Sequence, residues 1–342
     1  MVELARFGPL RSNPPDGVLN ALAAKRSEPW SAGRLGAEGG FPNGGMWRVK
    51  AGEAATVVKR TGPRHLGTDP VWRGSADPDD PQWWGREAEF YCSELATRGW
   101  GSDCRAARCY DIDDHGGVRD LWLEDVAGIP LPRERYEGVV AGFARWQRHN
   151  QAVDRRWLSR GWIPAHLRRR RLDNAETITH PEWDRLIDLG VPASFREGVR
   201  HRITDPATAA AILDSLPQGL THYDFHHMNI GQVAGQIVII DWATVGWGPL
   251  GHDAGFMLID HAVDLGESIE DTWNDLIGAY AAALGQVDAG EIRRSAAISN
   301  VIRLGWTIDH LLANSAAMAD GDIAALLPVV KLLAHHQARY LE

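Results

Sequence analysis

Residues 221–253 read THYDFHHMNIGQVAGQIVIIDWATVGWGPLGHD, and the fold of this 342-residue chain is decided there. His222, Asp224, His226, His227 and Asn229 crowd polar, site-competent side chains into one short stretch, too many for a strand or helix facing a core. Ile230-Gly231-Gln232-Val233 and Gln236-Ile237-Val238-Ile239-Ile240 flank a turn at Ala234-Gly235. Their β-branched content predicts a hairpin. The second arm ends on Asp241-Trp242, which places a carboxylate where a buried strand emerges.

A carboxylate on a loop, an amide five positions later and a second carboxylate after a hairpin are the parts of phosphoryl transfer from ATP. There an aspartate receives the hydroxyl proton, while an asparagine and a further aspartate supply hard oxygen donors to Mg²⁺. The pattern H-x-D-x-x-x-x-N, then I-D-W and G-x-G-P-x-x-x-D, resembles the aminoglycoside phosphotransferase and choline kinase-like family. The resemblance spans about residues 36–260 and is strongest over 221–253. It implies an α+β, bilobal protein-kinase-like fold. An N-lobe of antiparallel β-sheet plus helix (residues 1–127) would bind nucleotide, and a larger, mainly α-helical C-lobe (residues 128–342) would hold the catalytic loop and the acceptor. It implies Asp224 as catalytic base, Asn229 and Asp241 as metal ligands, and ATP with Mg²⁺ as cofactors. His222 is expected to brace the loop through its ring, and Asp253 to accept bonds from the loop's backbone. The chain departs from the family's H-G-D-x-x-P-x-N in having Tyr223 for the glycine and His227 and Met228 where proline and glycine are frequent. None of these changes removes the base or a metal ligand.

Upstream, Ala55-Thr56-Val57-Val58-Lys59-Arg60 predicts a strand with Lys59 at its end. The resemblance implies that Lys59 reaches the α- and β-phosphates. Such a lysine needs a carboxylate, and a helix beginning near Trp84 supplies candidates. Helical spacing sets Glu87 on one stripe with Phe90, Tyr91 and Glu94, and Glu89 on the wetter side. Glu87 is the expected partner and Glu94 the reserve. The glycine-dense turn Gly39 to Gly45, with Gly44 and Gly45 leading into Met46, is either a plain hairpin or a cover whose bare amides approach phosphates. Val18 to Lys25 predicts a short helix. Ala106 to Asp111 and Arg119 to Asp125 predict a hairpin about His115-Gly116-Gly117. Leu123-Glu124-Asp125-Val126 resembles the family's hinge, whose main chain bonds adenine near Glu124 and Val126.

Downstream the pattern is helical, with expected helices over 183–213, Ala254 to Asp264, 270–284, 288–315 and 321–341. The resemblance puts the acceptor between the second metal loop and the last helices, so Trp247, Asp260, Trp306, Asp309 and His310 are candidate contacts. Asp260 and the acidic stretch after it suit either an aminoglycoside or an exposed helix start. Trp242, Trp247 and Trp306 could each stack on a nucleotide or sugar, although most of the 15 tryptophans should be packing. The basic run Arg168 to Arg171 reads as a solvated face.

Composition narrows the class further. Hydrophobic residues make up 44% and charged residues 24%, ordinary for a globular protein. A net charge of −9 argues against a nucleic-acid partner. No apolar run reaches membrane length, and Cys92, Cys104 and Cys109 lack metal-type spacing. The expected protein is cytoplasmic, a monomer or homodimer, phosphorylating a hydroxyl of a small molecule such as an aminoglycoside or other antibiotic, sugar, amino alcohol or nucleoside. Two alternatives stay open: an inactive nucleotide-binding pseudokinase, and a hydrolase using His222, Asp224, His226 and His227 as metal ligands.

Overall fold

A computed structural model describes residues 14–35, 43–62, 75–126, 131–173, 182–258, 268–313 and 320–342. The chain opens with helix α1 (Asp16–Ala21) and strand β1 (Ser31–Leu35), followed by β2 (Asn43–Ala51) and β3 (Ala54–Thr61). Helix α2 (Arg86–Cys92) precedes β4 (Cys104–Ala106), β5 (Cys109–Asp114) and β6 (Arg119–Glu124). β1, β2, β3, β6 and β5 form, in that order, an antiparallel five-stranded sheet.

The period-two alternation of β3 positions half of the site. Val58 points to one face, where it packs with Val18 of α1, Val49 and Trp122. Lys59 therefore points to the other face, the one covered by α2 through Ala88, Leu121 and Leu123. Lys59 lies inside the strand, with Arg60 and Thr61 still paired beyond it. Of the glycine-dense turn, Gly44 and Gly45 lie in a strand, since Asn43 and Gly45 already pair with Thr61 and Arg60 across a bulge; Gly39 and Gly40 lie outside the described residues. The expected helix over Val18 to Lys25 begins earlier and stops at Ala21.

Helix α3 (Tyr136–His149) is followed by β7 (Ser159–Arg160), α4 (Trp162–Asp173), α5 (Glu182–Asp188), α6 (Ala193–Thr204) and α7 (Pro206–Asp214). Then come β8 (Gln218–Thr221), β9 (Ile230–Val233), β10 (Gln236–Ile239), β11 (Gly246–Pro249) and α8 (His252–Phe256). Helices α9 (Ile269–Leu284), α10 (Ala289–Ala313) and α11 (Asp320–Tyr340) complete the described chain. β9 and β10 are the expected hairpin, in register Ile230↔Ile239. Two small sheets, β4-β10-β9 and β7-β11-β8, frame the segment between β8 and β11.

The sequence hairpin starting at Ala106 needs correction. Cys104–Ala106 pairs in parallel with β10, and only Cys109–Asp114 joins β6. The break falls at Ala107-Arg108, where Ala107 N–H bonds Ile239 and the Arg108 carbonyl takes Glu124 N–H. Helix α8 ends at Phe256, short of the expected Ala254 to Asp264, whose end lies outside the described residues. The lobe boundary expected at 127/128 also lies outside them. One large core runs from Phe90 of α2 through α3 and the β9–β10 hairpin to α11, so α2 is anchored to the helical part as well as to the sheet. Among the described residues, no helix is long and apolar enough to cross a membrane.

Candidate active site

The loop between β8 and β9 takes its shape from bonds made to its backbone. His222 N–H and Tyr223 N–H donate to Asp253 Oδ2 and Oδ1 at 2.8 and 2.9 Å. The His222 ring is fully buried, with Nε2 bonded to the Ile240 carbonyl at 2.9 Å and Nδ1 accepting Asp224 N–H at 3.2 Å. These two bonds assign the Nε2–H tautomer. Burial pushes the ring down to about 4, so it stays neutral in both contacts. Burial alone would push the Asp253 carboxyl up, and even with its two backbone donors it stands at about 7.

Tyr223 adopts φ +69°, the left-handed conformation that costs a side-chain-bearing residue about 1–2 kcal/mol. This turn aims Asp224 at the cleft, where its side chain is 19% exposed. Burial works to raise the Asp224 carboxyl. The hydrogen bond and charge from His226, with His222 and Arg303 adding to them, outweigh it and hold the group below the usual range. Asn229 Nδ2 donates to the Asp224 carbonyl at 2.8 Å and to Asp224 Oδ2 at 3.0 Å, with His226 Nε2 at 3.1 Å. The amide nitrogen is thus committed to the base, and the amide oxygen is the end turned elsewhere.

The hairpin brings Asp241 beside Asn229. Ile240 N–H donates to the Asn229 carbonyl at 2.9 Å, extending the β9–β10 ladder by one rung. Asp241 follows at φ +61°, half-buried, with Oδ1 at 2.7 Å from Lys59 Nζ. Lys59 Nζ also meets Glu87 Oε2 at 2.7 Å, and both of these side chains are almost wholly buried. Burial would lower the Lys59 ammonium, but the Asp241 and Glu87 carboxylates beside it hold it above its ordinary value. Glu87, Lys59 and Asp241 are thus joined by ion pairs, Asn229 is joined to Asp224 by its amide, and the backbone bond from Ile240, next to Asp241, to Asn229 sets the two groups side by side. Asn229 and Asp241 carry oxygen donors of the hard type that suits Mg²⁺, and Asp241 keeps 23% exposure; these residues fit the ion.

The other candidates separate clearly. Glu94 lies beyond α2, exposed and paired with Arg98, while Glu89 pairs with Arg119. Gly44 and Gly45 sit in β2, Gly45 at φ +129°. The Glu124 carboxylate is gripped by Arg105, its N–H by the Arg108 carbonyl, and Val126 packs against Gly231 of β9. Trp242 is not a stacking platform. It is fully buried, parallel to Phe90 at 4.1 Å and edge-on to His222 at 4.6 Å. Asp309 is buried and accepts Trp183 Nε1–H at 3.0 Å. Trp247 is half-buried, and its carbonyl accepts the Tyr223 hydroxyl. Asp260 and the side chains of Trp306 and His310 lie outside the described residues.

Both ring nitrogens of His222 are engaged in backbone bonds, which takes it out of the expected histidine cluster. Among the described residues, no three His, Cys, Asp or Glu side chains come together as metal ligands. Three side chains escaped the sequence reading. His226, weighed only as a metal ligand, touches Asp224 at 3.5 Å. The Tyr223 ring is enclosed, with its hydroxyl donating to the Trp247 carbonyl at 2.6 Å. Arg86, wholly buried, donates to the carbonyls of Asp80, Pro81, Trp157 and Ala243, tying α2 to the loop after Asp241. Its acceptors are main-chain atoms, which leave no side-chain signal in a sequence.

A sequence model of the phosphotransferase enzyme family matches residues 86–294. Solved structures with the same fold include a choline/ethanolamine kinase family protein from Mesorhizobium loti. It is 18% identical, with a TM-score of 0.51, over 96% of this chain and 99% of that one. The choline kinase LicA from Streptococcus pneumoniae is 17% identical, with a TM-score of 0.50, over 89% and 93%. Amicoumacin kinase hAmiN, solved with AMP-PNP, Ca²⁺ and Ami, is 13% identical, with a TM-score of 0.50, over 89% and 88%. No curated protein sequence matches the chain. At these identities the likeness is one of fold, the α+β protein-kinase-like architecture expected from the motifs.

Proposed function

Because the chain belongs to the phosphotransferase enzyme family, we propose that it transfers the γ-phosphoryl group of Mg·ATP to a hydroxyl of a small molecule. The single observation that carries the reading is the juxtaposition of the Glu87–Lys59–Asp241 ion pairs with the Asn229–Asp224 pair, the two held together by the backbone bond from Ile240 to Asn229. Residues 1–127 form the nucleotide lobe and residues 128–342 the catalytic and acceptor lobe. Lys59, held by Glu87, pairs with the α- and β-phosphates. The β2 glycines Gly44 and Gly45 lie over the nucleotide, and the main chain near Glu124 and Val126 meets its base. Asn229 and Asp241 would hold Mg²⁺, which supplies neutralisation of the phosphate charge when bound. Asp224 orients the acceptor hydroxyl and takes its proton, mostly late in a loose transition state, so its main contribution is alignment.

Relatives by fold include proteins named as choline kinases and as an amicoumacin kinase. The acceptor classes that follow are amino alcohols, hydroxylated antibiotics including aminoglycosides, sugars and nucleosides. The test is ADP release from Mg·ATP across those classes, with Asp224→Ala as blank. Turnover with one class, lost in Asp224→Ala while nucleotide still binds, is the expected result. Retained turnover in that variant would remove Asp224 from the mechanism. Failure of the wild-type protein to bind Mg·ATP would remove the reading itself.

A further inference from the structure

We propose that Tyr223 is a positioning residue for Asp224, a side chain whose enclosure forces the turn that aims the base. The inference rests on the role proposed above for Asp224. Tyr223 holds φ +69° although it carries a side chain, so its surroundings, and not its own preference, fix the backbone.

Those surroundings come from three elements. Trp162 of α4 stacks on the Tyr223 ring at 5.4 Å and 21°, and His252 of α8 lies against it at 5.7 Å. From β11, the Trp247 carbonyl accepts the phenol, and Gly248 leaves room for it: a Cβ there would stand 2.2 Å from the phenol oxygen. The ring is 2% exposed.

The backbone on either side is equally determined. His222 and Tyr223 N–H are bound by Asp253, and Asp224 N–H by the His222 ring. A glycine at 223 would enter the left-handed turn without cost and leave it as easily. The tyrosine stays because its ring cannot move, and so it carries the placement of α4, α8 and β11 to the carboxylate of the next residue.

Wild type, Tyr223→Phe and Tyr223→Gly are compared by thermal melting, by amide hydrogen exchange with each amide referred to β8 and β10, and by turnover. In Tyr223→Gly, exchange at His222 and Asp224 should rise about tenfold or more, and kcat should fall about tenfold, with KM for ATP within about twofold. Tyr223→Phe keeps the ring and loses only the bond to Trp247, so it should recover most of both; its exchange should rise about threefold. Should the glycine variant not fold, the phenylalanine variant alone decides. Unchanged exchange at His222 and Asp224 in every folded variant, with only the melting temperature shifted, overturns the proposal. Raised exchange in a protein that never releases ADP supports the positioning and sinks the role of Asp224 instead.

Discussion

The two sides of the cleft are held by different forces. On the sheet side, Lys59, Glu87 and Asp241 are joined by charge, with Nζ at 2.7 Å from each carboxylate. On the loop side, Asp224 and Asn229 are set by hydrogen bonds to the loop backbone and to the Asp224 carboxylate, a neutral imidazole and an enclosed tyrosine. A buried ion pair suffers most when one member is removed, because the survivor is left charged without compensation. A hydrogen-bonded loop suffers instead when a donor or acceptor is displaced, each loss being smaller and more local.

The sharpest way to break this contrast is Lys59→Met. It leaves Glu87 buried near Asp241 with no cation, and a loss of about 3–5 kcal/mol in urea unfolding is expected. Asn229→Ala removes contacts to the Asp224 carbonyl and carboxylate and should cost about 1–3 kcal/mol by the same measurement. A loss from Asn229→Ala equal to that from Lys59→Met would end the distinction between the two sides.

Acid sharpens it differently. His222 at about 4 and His252 and His336 at about 3 stay neutral in the fold, whereas in the unfolded chain they titrate near 6.5. Between pH 6.5 and 4 the unfolded chain therefore binds protons that the fold refuses, and stability falls as pH drops. Asp253, raised to about 7 from 3.8, binds a proton in the folded state over that range and opposes the loss, and Glu87, whose carboxyl burial raises, adds to it, two groups against three. The expected outcome is a urea midpoint that declines from pH 6.5 to 4.5, with a shallower decline in His252→Phe. An upward trend on acidification would mean that the two carboxyls dominate. The smallest effect belongs to Arg156→Ala, which removes an ion pair with Asp79 on the surface; no shift in melting temperature is expected.

The loop side was the more legible of the two in the sequence. The H-x-D-x-x-x-x-N spacing and the β9–β10 arms are local patterns, and their geometry follows from neighbours along the chain. Glu87 could be chosen over Glu89 because helical periodicity alone separates the buried stripe from the wet one. Arg86, one residue earlier, could not be chosen, since its partners are carbonyls up to 157 positions away. The split between β4 and β5 was hidden for a related reason: the choice of sheet depends on the parallel partner offered by β10, far along the chain. Trp242 looked available to a ligand because nothing local tells a tryptophan at a strand end whether Phe90 will cover it. The motif fixed which residues enter the cleft, but the acceptor side draws on helices that share no short pattern with it.

The room left at Gly248 constrains how this sequence can change over generations. A side chain at position 248 collides with the phenol of Tyr223, while a smaller residue at 223 removes the collision. The two positions can therefore be altered in one order only: 223 first, then 248. Descendants that keep the tyrosine inherit the glycine with it, whereas a chain that has lost the tyrosine can keep Gly248 or replace it.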